Sequence, residues 1–313
     1  MKLHTEQLLG TLELLNEPLQ VYDEQVEGSY QTFCWDSSTK GEFNLWNLMI
    51  DEKYIQPISG QTAISQWILD EWLHPIAADN DTYPPDHPKD GNFLNPDIKI
   101  ERYKIYKALY ELLISSLEEL EAFKVNIDVN EKLDYLCFLV GKISHDSWLV
   151  ISPSVGRREK IPHWISYSDL EEYRKHSKSI SKLESIVKKL LANLKPLKLC
   201  ACYPDGHGYI FSYYYSYAFA KTKAEAFNQV FMMANILQKK RFINFSSDYH
   251  QHSYNDDKRR KTIYALNNFL KQICCSINLY HFAMYDNDYT YIIGETPGKD
   301  WLGIEISRSY RYY

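Results

Sequence analysis

The chain has 313 residues, 45% of them hydrophobic and 24% charged, with 26 tyrosines and a formal net charge of −6. The length suits two domains of about 150 residues, and the composition excludes an extended disordered polymer. No stretch approaches the roughly 18 uncharged apolar residues that a bilayer crossing needs, and the opening MKLHTEQLLGTLELLNEP lacks a basic n-region, so a soluble cytoplasmic protein is expected.

In chain order, Leu8, Leu12 and Leu15 form a short helical stripe over residues 5–15. Two strand-like runs come next, Leu19–Tyr22 and Tyr30–Trp35, around a Glu/Gly-containing turn. Ile64, Trp67, Ile68 and Trp72 predict a helix over 62–73, the Pro- and Asp-rich stretch Ala77–Asp97 predicts a loop, and Ile105, Leu109, Leu112, Leu113, Leu117 and Leu120 predict a helix over 101–122. A hairpin then succeeds it, 135–141 and 148–152. Pro153, Gly156 and Pro162 interrupt both periodicities and place a linker at 156–168.

The second half repeats the order. A helix is predicted over 183–194, strands over 197–203 and 209–217, helices over 222–238 and 258–278, and a closing hairpin over 289–294 and 301–307. Glycine and tryptophan are seven residues apart in both hairpins, Gly141 to Trp148 and Gly294 to Trp301, and a leucine comes directly after each tryptophan. Sliding the long helices by 157 positions matches Arg102 with Arg259, Ala108 with Ala265 and Leu113 with Leu270. A tandem duplication is therefore expected, with an α+β module at 1–155 and another at 169–313, each an antiparallel sheet covered by helices.

Charge is divided unevenly: residues 1–160 carry 14 Lys and Arg against 27 Asp and Glu, and the remainder 21 against 14. The six cysteines sit in apolar runs without zinc-ligand spacing and are read as reduced, buried thiols. No metal or cofactor is expected. His250 and His252 beside Asp248, Asp256 and Asp257, and the Asp205-Gly206-His207 turn, lack partners at a spacing that forces proximity, so catalysis is not expected. A rival reading of another class is nucleic-acid binding by the second half. There Lys239, Lys240, Arg241 and Lys258–Lys261 supply phosphate-neutralising charge, and Tyr213, Tyr214, Tyr215 and Tyr217 supply stacking rings.

The segment Tyr291-Ile292-Ile293-Gly294-Glu295-Thr296-Pro297-Gly298-Lys299-Asp300-Trp301-Leu302-Gly303-Ile304 resembles the closing segment of the nuclease A inhibitor family. Lys258–Ser276 sits where that family has its last long helix, and Tyr30–Asp36 is similar to its aromatic second strand, which ends Phe-x-Trp-acidic. The resemblance implies α-β-α sandwich modules and a protein partner, a sugar-non-specific nuclease held by an acidic surface. In that family an acidic residue before the second strand approaches the nuclease's metal; Glu24 lies nearest that position, with Glu27 as its competitor. The family's closing residue also reaches the nuclease, and here the corresponding segment reads Tyr310-Arg311-Tyr312-Tyr313, longer than the family's and without its threonine. The expected partner-binding residues are Asp23, Glu24, Glu27, Trp35 and Asp36, with Asp79, Asp81 and Asp86 of the long loop.

Overall fold

The computed structural model describes residues 2–19, 26–77, 92–125, 136–155, 160–170, 182–202, 208–246, 256–284 and 287–310. From the N-terminal side the elements are α1 (Leu3–Asn16), β1 (Val26–Trp35), α2 (Ser37–Lys40), α3 (Leu45–Asp51), β2 (Ile55–Ile58), α4 (Gly60–Leu73) and α5 (Pro96–Ser116). Then come β3 (Glu119–Val125), β4 (Cys137–Ser144), β5 (Ser147–Pro153), β6 (Ile165–Ser168), α6 (Lys182–Asn193), β7 (Leu197–Cys202), β8 (Gly208–Tyr213) and β9 (Tyr215–Ala220). The remainder is α7 (Lys223–Met233), β10 (Leu237–Phe245), α8 (Asp256–Ile273), β11 (Ile277–Met284), β12 (Asn287–Glu295) and β13 (Trp301–Tyr310). The protein is α+β, and all strand pairs are antiparallel.

Two compact units emerge, and each draws on both halves of the chain. Unit 1 gathers the described residues within Met1–Asn44, Glu159–Tyr173 and Leu237–Arg311; unit 2 gathers those within Leu45–Arg158 and Arg174–Ile236. In unit 1 the strand order is β1-β13-β12-β11-β10-β6. Period-2 alternation sends Leu279, Ile292, Ile304 and Ile306 to one face. There they meet Leu12 of α1 and the three-to-four stripe Ile263, Leu266 and Leu270 of α8 in one core. Complete burial of one such aliphatic side chain contributes about 1.5–3 kcal/mol. The other face carries Phe33, Trp35, Phe43, Tyr291 and Trp301, with Phe43 and Trp301 ring centroids 4.4 Å apart.

In unit 2 the order is β2-β3-β4-β5-β9, with β7 and β8 paired separately. Ala122, Cys137, Leu139, Leu149 and Ile151 pack against Trp67 of α4, Leu109 and Leu113 of α5, and Val187 and Leu191 of α6. Phe123 and Phe138, on the alternate positions, meet Trp46 of α3 and Phe227 and Phe231 of α7. Pro57, which has no N–H to donate, is confined to the edge strand β2.

Several expectations need correction. The boundary at 156–168 does not separate the units: β1 pairs along its ten residues with β13, and β9 pairs with β5. The front strand of each half thus closes the sheet of the other, because apolar surface is satisfied by whichever edge it meets. The helix predicted over 101–122 stops at Ser116, and Leu120 instead lies in β3. Likewise Ile277 begins β11 rather than ending α8, and Leu237 begins β10 rather than ending α7. The run 209–217 breaks at Tyr214, its first part pairing with β7 and its second with β5. The run at Leu19–Tyr22 lies almost wholly outside the described residues.

Both long hairpins hold the expected common register, with Gly141 opposite Leu149 and Gly294 opposite Leu302. Each glycine is overlaid by the connection that leaves a long helix. A Cβ on Gly141 would come within 2.4 Å of the Leu117 side chain, and one on Gly294 within 2.2 Å of the Ser276 carbonyl.

Candidate protein-binding site

β1 is the edge strand of its sheet, and its register sets Val26 opposite Tyr310 and Glu27 opposite Ser309. The first residues of β1 therefore lie beside the last described residues of β13. Asp23 and Glu24, immediately before β1, lie outside the described residues, as do Asp79, Asp81 and Asp86. Further along β1, Gln31 is exposed.

Trp35 was expected at a partner surface, and the structure corrects this: it is 2% exposed. Its ring meets Phe43 edge-on at 5.6 Å, and its Nε1 donates to the Gly41 carbonyl at 2.9 Å. Gly41 succeeds α2 at φ +75°, where a side chain would be strained, and this reversal brings the carbonyl under the indole. Asp36 has a local structural task, capping α2 by accepting from the Ser38 N–H at 3.0 Å and the Ser38 hydroxyl at 2.5 Å. The aromatic strand ending Phe-x-Trp-acidic is thus accounted for by core packing and a helix cap.

Buried carboxylates elsewhere are engaged in pairs and caps. Asp288 is fully buried in unit 1, where Arg308 donates to both of its oxygens at 2.8 and 2.5 Å and also to the Lys160 carbonyl at 3.0 Å. Asp300 accepts from the Thr5 hydroxyl at 2.6 Å and the Ser37 N–H at 3.0 Å, tying α1 and α2 to the turn before β13. In unit 2, Arg102 clasps Glu71 at 2.7 and 2.5 Å, and the Tyr106 hydroxyl donates to the same carboxylate. The Tyr106 and Tyr215 hydroxyls are 2.7 Å apart, and Tyr215 reaches Tyr213 at 3.2 Å. Burial, with nearby Glu71 among the further causes, pushes the phenols of Tyr106, Tyr213 and Tyr215 well above the ordinary value.

That network bears on the nucleic-acid reading. Tyr213 is buried, the Tyr215 hydroxyl is committed to Tyr106, and the Tyr214 hydroxyl donates to the Met233 carbonyl at 2.8 Å, all within unit 2. The basic residues belong to unit 1. Lys239 lies over the Tyr280 ring, Lys240 pairs with Asp169, and Arg241, Lys258, Arg260 and Lys261 are exposed. The rings and charges that the sequence groups together are therefore divided between the units.

The remaining candidates are dispersed. Asp205, His207, Asp248, His250 and His252 lie outside the described residues, and Asp257 is exposed at the start of α8. Among the described residues no group of three or more His, Cys, Asp or Glu side chains is assembled to hold a metal ion. Among them, too, no helix is long and apolar enough to cross a membrane.

One feature of unit 1 has no counterpart in the sequence pattern. A cleft of about 450 Å³ between the end of β10, β6 and α8 is lined by Ser166, Asn244, Ser246, Arg260, Tyr264 and Asn267 over apolar Phe245 and Ile263. Of its polar lining residues only Arg260 stood out in the sequence, as part of a basic run. A usable signal was the polar pair Asn244 and Ser246 alternating with aromatics at a strand end, but the start of β10 fits the apolar spacing of the helix before it.

No family model, curated protein or solved structure matches the chain.

Proposed function

We propose that the protein is a non-catalytic binding protein that inhibits a sugar-non-specific nuclease by placing the acidic turn before β1 in the enzyme's basic, metal-bearing active site. The observation that carries this reading is the β1–β13 register. It sets Glu27 opposite Ser309 and Val26 opposite Tyr310, so the start of β1 and the end of β13 share one end of one sheet. In sequence these strand ends adjoin the acidic turn and the closing segment, the two elements that the resemblance to nuclease A inhibitors puts against the enzyme. Carboxylates aimed at a metal and at phosphate-binding cations need no chemistry of their own; they need a rigid edge and complementary charge. The ten-residue pairing of β1 supplies the edge.

The test is to mix the protein, in micromolar excess, with a panel of metal-dependent sugar-non-specific nucleases and monitor DNA cleavage. Glu24→Gln, Glu27→Gln and a DNA-only gel shift run in parallel. Loss of cleavage without DNA retention, relieved by one of the substitutions, is the expected result. Full cleavage of DNA together with a salt-sensitive gel shift overturns the proposal in favour of direct nucleic-acid binding.

A further inference from the structure

We infer that the outer face of α1 and α8 is a dimerisation surface, on which a second copy of this chain docks about a twofold axis, its acidic α1 against basic α8 and the reverse. This goes beyond the inhibitory reading and uses the helix layer of unit 1 rather than the strand ends that carry that reading.

α1 is apolar on two sides. At about 100° of turn per residue, Thr5, Leu12 and Asn16 share one face, and all three are buried. Leu3 and Leu14 stand on the opposite face, 72% and 73% exposed. On α8, Ile263, Leu266 and Leu270 enter the core that Leu12 also joins, while Tyr264 is 70% exposed. These are the three most exposed large apolar side chains among the described residues, and all belong to this one pair of packed helices. A helix that is apolar all round is one covered on both sides.

Charge on the same face selects the cover. α1 contains Glu6 and Glu13, with Glu17 directly after it, and no Lys or Arg. From Lys258 to Ile273, α8 contains five Lys and Arg and no Asp or Glu. Glu6, Glu13, Glu17, Lys258, Lys261 and Lys271 are exposed, and none of them makes an ion pair among the described residues. The Thr5 hydroxyl donates to Asp300, and the Cys274 thiol, just after α8, donates to the Leu302 carbonyl at 3.8 Å. The start of α1 and the end of α8 therefore lie at the same end of the sheet, and the two helices are antiparallel. Glu13 and Glu17 lie towards the basic start of α8, and Glu6 towards Lys271. A twofold axis parallel to the helices and between them sets each α1 over the α8 of the other copy, in a four-helix bundle. Each acidic end then meets a basic one, and Leu14 approaches Tyr264. An axis across the helices instead stacks α1 on α1 with like charges opposed, which is unfavourable.

Sedimentation velocity of the full chain across the micromolar range tests the inference. The mass is expected to rise with concentration from 36.9 kDa towards twice that value, and less so as salt is raised from about 0.05 to about 0.5 M. The double variant Glu13→Lys/Glu17→Lys reverses α1, and Lys258→Glu/Lys261→Glu reverses α8. Each is expected to raise the dissociation constant roughly tenfold or more. An equimolar mixture of the two is expected to restore the dimer, because each reversed helix then meets its opposite in the other variant. All four positions are exposed, and the new charges suit the helix ends they occupy, so both variants keep the fold, which far-UV spectra check. A 36.9 kDa species at every concentration overturns the inference, as does a dimer that survives both reversals or a mixture that stays monomeric. None of these results depends on inhibition of a nuclease.

Discussion

Replacing Arg102 by methionine removes the cation from an almost fully enclosed pair, because Glu71 is 0% and Arg102 5% exposed. Two guanidinium bonds to Glu71 and one to the Lys195 carbonyl at 2.9 Å disappear together. Breaking one side of a buried ion pair costs about 3–5 kcal/mol, since the remaining charge keeps its desolvation without its partner. That corresponds to roughly a hundredfold to a few thousandfold in the unfolding constant. With a urea dependence of about 2 kcal/mol per molar, the midpoint falls by about 1.5–2.5 M. Tyr106→Phe removes one hydrogen bond to a charged acceptor and is expected to cost less, about 1.5–3 kcal/mol. The double variant Glu71→Leu/Arg102→Met removes both charges and is expected to regain most of the loss. Urea titrations monitored by far-UV circular dichroism, with hydrogen exchange of peptides from α5 and α6 to localise the opening, provide the measurement. A cost below about 1 kcal/mol for Arg102→Met, or a double variant as unstable as the single one, would refute the reasoning that this network is a paired buried charge.

Other outcomes rest on packing and on burial. Gly303→Ala is expected to destabilise unit 1 strongly, because a Cβ there would stand 2.0 Å from the Ile292 carbonyl oxygen and 2.7 Å from the Ile293 Cα. Gly10→Ala, with nothing within 4 Å in the middle of α1, should instead stabilise by about 0.5–1 kcal/mol, and thermal melts of the two variants separate the cases. The Cys137 thiol is pushed up to about 12 from its ordinary 9.0 by burial and then by Asp70, and Cys274 to about 12 by burial and then by Cys275. The unfolded thiols ionise as the pH passes 9 while the folded ones hold their protons, so stability is expected to fall between about pH 9 and 12, read from urea midpoints. At pH 8 a thiol reagent should label exposed Cys275 rapidly, a phase lost in Cys275→Ser, and leave Cys137 and Cys200 until the protein unfolds.

Elements whose signal is local were legible in the sequence. The helices α1, α4, α6 and α8 track their apolar stripes, and both long hairpins come from two apolar runs joined by a short turn. The Gly-to-Trp spacing even fixes the register, Gly141 to Leu149 and Gly294 to Leu302. Elements defined by distant partners were not. β6 is four residues, Ile165–Ser168, that make a strand only because β10 lies alongside, and β10 hides behind helical spacing carried over from α7. Leu120 and Ile277 fit a helical period by coincidence, since a strand beginning just after a helix can continue its apolar spacing for a turn.

The division into units was illegible for the same reason. β1 carries no mark in its sequence of the β13 edge against which it pairs, and β9 none of β5. Of the candidate site, the acidic turn was visible as a cluster of charge, whereas the pairing of β1 with β13 is long-range and left no local mark. Trp35 illustrates the converse: an aromatic before an acidic residue reads as a contact, but its indole N–H finds the Gly41 carbonyl and the ring is absorbed into the core.

The central claim, an acidic edge that occupies a nuclease active site, is tested most directly by steady-state inhibition kinetics with a sugar-non-specific nuclease inhibited by the protein. Inhibition competitive with DNA is expected, with the inhibition constant rising at least tenfold in Glu24→Gln or Glu27→Gln and rising further with salt. Inhibition that is non-competitive with DNA, or that is unchanged in both variants, would contradict it.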